Sequence, residues 1–207
     1  VRDQLMSQDP STLPKPEEVK SMMQAFTAGG LNTMGDMQQA VEQGPINIKL
    51  AKSLALQQAN GAGSDSSVNA ETGEIARRAI SEANLWLDTA CEFNPAQGET
   101  QLLTRAGWVE DTIDAWAQFA SPVAESMNDA LGRAAGDLSH EVRGSFDQGI
   151  ALLKNPAGGL IVQNVTEYAK SLDIDVNEVI GYLALQELAH ARLFASVPWL
   201  MPRFEAL

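Results

Sequence analysis

Between Tyr182 and Leu200 the chain reads YLALQELAHARLFASVPWL. Laid on a helix at about 100° per residue, Val179, Ile180, Leu183, Ala184, Ala191 and Phe194 fall within an arc of roughly 140°. Leu185, Leu188, Ala189 and Leu193 take the other side, so the helix is apolar nearly all round. Such a helix is expected at the centre of a fold, with other elements wrapped around it. Glu187 and His190 project near the middle of its most apolar face, and Gln186 lies at the margin. A buried carboxylate without a partner is costly or takes up a proton. The sequence therefore predicts partners for Glu187 and His190: each other at i, i+3, an arginine such as Arg105 or Arg143, or backbone.

What surrounds this helix also reads as helix. Residues 46–58 place Ile46, Leu50, Leu54 and Leu56 at roughly helical spacing. Residues 71–92 carry Ile75, Ala79, Ala83, Trp86, Leu87 and Ala90 on one face. Thr100 to Phe119 repeats the pattern with Leu103, Trp108, Ile113, Trp116 and Phe119. A further helix is expected from Pro122 toward Leu138. In it GRAAG sets Gly132 and Gly136 four apart, so that a second helix can approach closely. Helices over about 139–153 and 159–171 follow, and Asp175 with Glu178 is spaced as a capping box for the central helix. No run alternates as a strand would. The expected class is all-α, a multi-helix domain around a buried helix carrying QELAH. Residues 1–60 read as a lead-in with short helices, 61–73 as a flexible linker or loop rich in Gly, Ser, Asp and Asn, and 74–207 as the helical core.

Charge and cysteine content narrow the function. A net charge of −13 opposes a phosphate backbone as partner, because nucleic-acid binding needs surplus Lys and Arg. No apolar run reaches the roughly 18 residues of a membrane span. The partner classes left open are a second copy and another protein. Cys91 is the sole cysteine, which excludes an intrachain disulfide and favours a reducing, cytoplasmic setting.

Gln186 to His190, QELAH, has the spacing of the His-Glu-x-x-His helix that binds zinc in metallopeptidases. In that pattern two imidazoles four apart share a face, and the glutamate activates water. Here glutamine stands at the first histidine, and an amide oxygen is a poor zinc ligand beside imidazole. The only other histidine is His140, expected to face solvent or cap a helix. Gly158-Gly159 precedes a helix and could hold an anion, although a plain turn is the simpler reading. Cys91 is read as inert core, as are Trp86, Trp108 and Trp116.

Several segments together resemble one family. EVIGYLALQELAHARLFASVPWLMPRFEAL is similar to the histidine-helix region of a zincin-like family of hydrolases found mainly in actinobacteria. Members are often labelled zinc-dependent metalloprotease, and some are linked to deazaflavin-coenzyme biosynthesis. GPINIKLAKSLA, ISEANLWLDTACEF, LLTRAGWVEDTIDAW and VTEYAKSLDIDVNEV resemble further family segments, so the likeness spans about 44–207. The resemblance implies a catalytic role for Glu187 and a metal-binding role for His190. It implies zinc in members with a complete site. With Gln186 at the first position, no cofactor is expected for this chain, and neither is zinc peptidase activity. The alternative is a non-enzymatic binding or scaffold protein with a structural Glu187–His190 pair.

Overall fold

The computed structural model describes residues 48–61, 63–120 and 128–206. The lead-in and short helices expected before residue 48 lie outside them. In chain order the elements are α1 (Ile48–Ala59), α2 (Ala70–Ala90), β1 (Gln101–Leu103), α3 (Arg105–Ala120), α4 (Asn128–Leu138), β2 (Gly159–Ile161), α5 (Val162–Leu172), α6 (Val176–Ser196) and α7 (Leu200–Glu205). The fold is all-α in class, with two three-residue strands paired in parallel, Leu102 opposite Leu160. Strands this short carry no alternation that a sequence pattern could reveal.

Among the described residues two large apolar clusters form most of the core, with a small one around Ala117. α2, α5 and α6 meet through Ala76, Ala83, Leu87, Val165, Ile180 and Ala184. α1, α3 and α4 meet through Ala51, Ala55, Trp108, Ile113 and Ala135. β2 runs between them. Leu160 packs into the first cluster and Ile161 into the second, as successive residues of a strand must face opposite sides.

Local chemistry sets the helix ends. The Asn69 side chain accepts the N–H groups of Glu71 and Thr72 and starts α2, so helix occupies the expected linker from Ala70 onward. Before it, the Asp65 N–H donates to Gln163 Oε1 at 2.9 Å, and Arg105 reaches Ser64 Oγ at 3.2 Å. The Thr104 hydroxyl accepts the Gly107 N–H at 3.0 Å. This cap begins α3 at Arg105, where the sequence suggested a helix from Thr100. Asp175 accepts the Asn177 N–H and starts α6.

Three expectations need correction. No helix fills 139–153; turns and bends do. There Asp147 accepts the Arg143 N–H at 2.7 Å, and Gly149 adopts φ +75°, both of which divert the chain from helical bonding. Trp86 is 67 % exposed, because α2 buries the stripe Gly73, Ala76, Ala83 and Leu87 instead; Trp108 is buried as expected. α6 is not enclosed all round: Tyr182 and Ala189 lie exposed on the side away from Glu187. No helix among the described residues is long and apolar enough to cross a membrane.

The small-residue pair of α4 does permit a close approach. A Cβ at Gly132 would lie 2.7 Å from the Ala51 carbonyl oxygen, and one at Gly136 would lie 2.6 Å from Gln58 Cβ. Gly181 in α6 has nothing within 4 Å of such a Cβ. Two Gly→Ala changes should therefore act in opposite directions. Gly132→Ala is expected to cost about 1–3 kcal/mol through overpacking, and Gly181→Ala to add about 0.5–1 kcal/mol through helix propensity. Urea denaturation midpoints at constant slope check both signs.

Candidate functional site

Glu187 lies at the middle of α6 and is 3 % exposed. Its carboxylate enters a cradle made by two pieces of irregular backbone, 144–146 and 158–159. Oε1 accepts the Ser145 N–H at 2.9 Å, the Gly159 N–H at 2.9 Å and the Ser145 hydroxyl; Oε2 accepts the Phe146 N–H at 3.4 Å. Glycine is required on both walls. A Cβ at Gly144 would collide with Oε2, and one at Gly158 would lie 2.5 Å from Oε1. Gly158 also has φ +72°, a conformation side chains resist.

The cradle is held from outside as well. The Ser145 N–H is shared with the Gly159 carbonyl, and the Gln101 N–H donates to the Gly158 carbonyl, each at 2.9 Å. The Ile161 N–H closes on the Arg143 carbonyl at 2.9 Å. Burial pushes the Glu187 carboxyl above its ordinary value. The Ser145 hydroxyl and the N–H groups of Gly159, Ser145 and Phe146 pull the other way without cancelling the desolvation.

His190 is half-buried and separate from this cradle. Its Nδ1 lies 2.8 Å from the Gln186 carbonyl oxygen, so Nδ1 carries the hydrogen and Nε2 the lone pair in the neutral ring. The ring stacks on Phe146 at 5.9 Å between centroids, and Phe146 stacks in turn on Phe194 at 5.4 Å. Of the partners anticipated for Glu187, backbone is present. Arg105 instead binds Asn164 Oδ1 at 2.7 Å and Glu167 at 2.6 Å. Arg143 lies over the Tyr168 ring at 4.0 Å.

His140 sits at the end of α4, with Nε2 3.0 Å from the Gln58 carbonyl oxygen, where it links α4 to α1. Cys91 ends α2, half-buried, its thiol 3.9 Å from the Phe93 carbonyl oxygen. Among the described residues no group of three or more His, Cys, Asp or Glu could hold a metal ion. The donors present around Glu187 are N–H and O–H groups, which suit a carboxylate and not a cation. These residues do not fit zinc.

Two features escaped the sequence reading. Ser145 lies in the segment expected to be helical, and nothing in RGSFDQG marks it as a carboxylate partner. Arg192, one turn beyond Leu188, is 1 % exposed. Its guanidinium donates to the carbonyls of Phe93 and Asn84 and to Asp88 Oδ1 at 2.6 Å. An arginine within an apolar helix was a visible signal of this second buried polar contact.

A family model for zincin-like metallopeptidases matches residues 46–133 and 129–207. The chain belongs to the zincin-like metallopeptidase family. Its fold is similar to that of a crystal structure described as a "putative hydrolase with a novel fold" from Chloroflexus aurantiacus, with a TM-score of 0.66 at 18% identity. The alignment covers 78% of this chain and 57% of that one. No match was found among curated proteins.

Removing the carboxylate of this zincin-like chain should leave the buried Phe146 N–H without its acceptor and the Ser145 and Gly159 N–H groups with only the Gly159 carbonyl and the Ser145 hydroxyl. Glu187→Ala is expected to cost at least about 3 kcal/mol, and Glu187→Gln clearly less, since an amide oxygen can take the Oε1 bonds. The raised carboxyl makes the folded state the tighter proton binder. Its contribution is thus fully present below the unfolded carboxyl value and lost as pH rises through the folded one. Wild-type stability minus that of Glu187→Gln should fall from acidic toward neutral pH. Urea unfolding of both proteins across that range checks the slope, and a rise would contradict it.

Proposed function

We propose that this chain is a zincin-like metallopeptidase-family protein that works without zinc peptidase chemistry, its QELAH helix serving to fasten the fold. One observation carries the reading: the carboxylate that would have to activate water is already held by four donors of the protein itself. A general base must reach the proton it removes, and Glu187 faces a buried turn. Gln186 at the first ligand position supports the same reading, because an amide competes poorly for zinc. His190 then serves as a packing group, its ring on Phe146 and its Nδ1 on the helix backbone.

The narrower kinship, with actinobacterial hydrolases linked to deazaflavin-coenzyme biosynthesis, rests on the segments quoted from GPINIKLAKSLA to VPWL. A reducing, cytoplasmic setting is supported by the single cysteine. Binding of another protein or a second copy is the class of role that these features leave to the fold.

The test is elemental analysis of protein purified without chelator, together with hydrolysis assays on unstructured protein substrate with added zinc. The expected result is no stoichiometric zinc and no zinc-stimulated cleavage, while His190→Ala changes only thermal stability. One zinc per chain, lost in His190→Ala, overturns the proposal.

A further inference from the structure

α6 is buried over most of its circumference, and what remains is one open stripe. At about 100° per residue, Tyr182, Leu185, Ala189, Leu193 and Ser196 fall within an arc of roughly 80° on the far side of the helix from Glu187. Tyr182 is 68 % exposed, Ala189 and Ser196 are exposed, and Leu185 and Leu193 are half-buried between them. Trp199, 66 % exposed, follows just beyond the C-terminal end. The chain carries a net charge of −13, yet no charged side chain lies on this arc from Tyr182 to Ser196. A contiguous apolar patch of this kind marks a surface for association. We propose that the stripe is a twofold interface, at which the α6 helices of two copies of this chain pack antiparallel about Ala189. The proposal rests on the binding role given to the fold above and commits it to a second copy.

A twofold axis presents one surface to itself, so a residue before the axis must fit the residue at equal distance after it. The stripe meets that condition at every step. At its centre stands Ala189, whose small side chain lets two helix axes approach to the short end of the usual range of about 8–10 Å. Four residues to either side stand Leu185 and Leu193, which pack leucine on leucine. Seven residues to either side stand Tyr182 and Ser196, large against small. Charge fixes the direction. The start of α6 is acidic and exposed at Asp173, Asp175 and Glu178, while Arg203 lies exposed on α7, just beyond the other end. An antiparallel pair turns each acidic start toward the opposite copy's basic end and brings unlike helix-dipole ends together. A parallel pair would set acid on acid. Pairing covers on the order of 1,000 Å² over both copies, the lower edge of a specific interface, which suits a reversible dimer with a dissociation constant of about 10–100 μM.

The test is sedimentation equilibrium of the full chain from low micromolar to near-millimolar concentration. A monomer–dimer equilibrium is expected, with no larger species, because a twofold contact closes on itself. Ala189→Glu sets two carboxylates face to face across the axis and should weaken the dimer at least tenfold. The position is exposed, so the thermal midpoint of the dilute monomer should stay close to that of the wild type. Arg203→Glu should weaken the dimer at low salt and less at high salt, where the screened charge matters little. Leu85→Ser is the control: Leu85 is 67 % exposed and lies opposite the buried stripe of α2, and its loss should leave the dimer unchanged. A chain that stays monomeric throughout overturns the proposal and leaves the stripe to a different protein. A dimer that survives Ala189→Glu, ignores Arg203→Glu at low salt, or is weakened as much by Leu85→Ser overturns it too. Zinc content and cleavage are untouched by these outcomes, so this inference and the proposed loss of peptidase chemistry fail separately.

Discussion

Everything near the centre of this protein depends on one carboxylate being solvated by backbone. Glu187 is carried inward on the α6 face that also holds Val179 and Leu183, where water cannot reach it. Burying a charge there would be prohibitive without compensation. Compensation comes from N–H dipoles and one hydroxyl, and among the described residues no cationic side chain is bonded to it. The arrangement works in both directions. The turns at 144–146 and 158–159 solvate the acid, and the acid ties these turns to α6. β2 begins at Gly159, one of the donors, so the junction of the two core clusters is positioned by the same contact.

Much of the fold was readable because its signals are periodic. The long helices α2 and α6, the caps at Asp175 and the close α1–α4 contact through Gly132 and Gly136 all follow from spacing and residue type. What was not readable has a common physical origin. β1 and β2 are too short for a period. The turns of 139–157 exist because Glu187 and Asp147 divert backbone bonds, and those partners lie far away in sequence or act on single N–H groups. Trp86 was misread because its neighbours Ala83 and Leu87 already complete the buried stripe of α2. A wide apolar face does not say which of its edges remains uncovered.

The candidate site was legible in part for the same reason. That Glu187 points inward follows from helix geometry, and so does its need for partners. Which partners it found was not encoded locally. The Gly158-Gly159 pair could be recognised as a possible anion cradle, and Gly159 does donate to an anion. That anion is the protein's own side chain, a pairing 28 residues apart that only the tertiary fold defines.

Helix α6 carries two deeply buried charges, and their surroundings explain why they differ in meaning. Glu187 meets four donors, with Gly144 and Gly158 packed close against its two oxygens. Arg192, roughly 140° around the helix axis from it, meets carbonyls and Asp88 but keeps one donor without an acceptor. Glu187 fastens the irregular segment 144–159 to this helix, and Arg192 fastens the end of α2 and Phe93 just after it. The acid is compensated by backbone N–H groups and one hydroxyl, the arginine by carbonyls and one carboxylate, so the two sides of α6 are anchored by opposite kinds of partner.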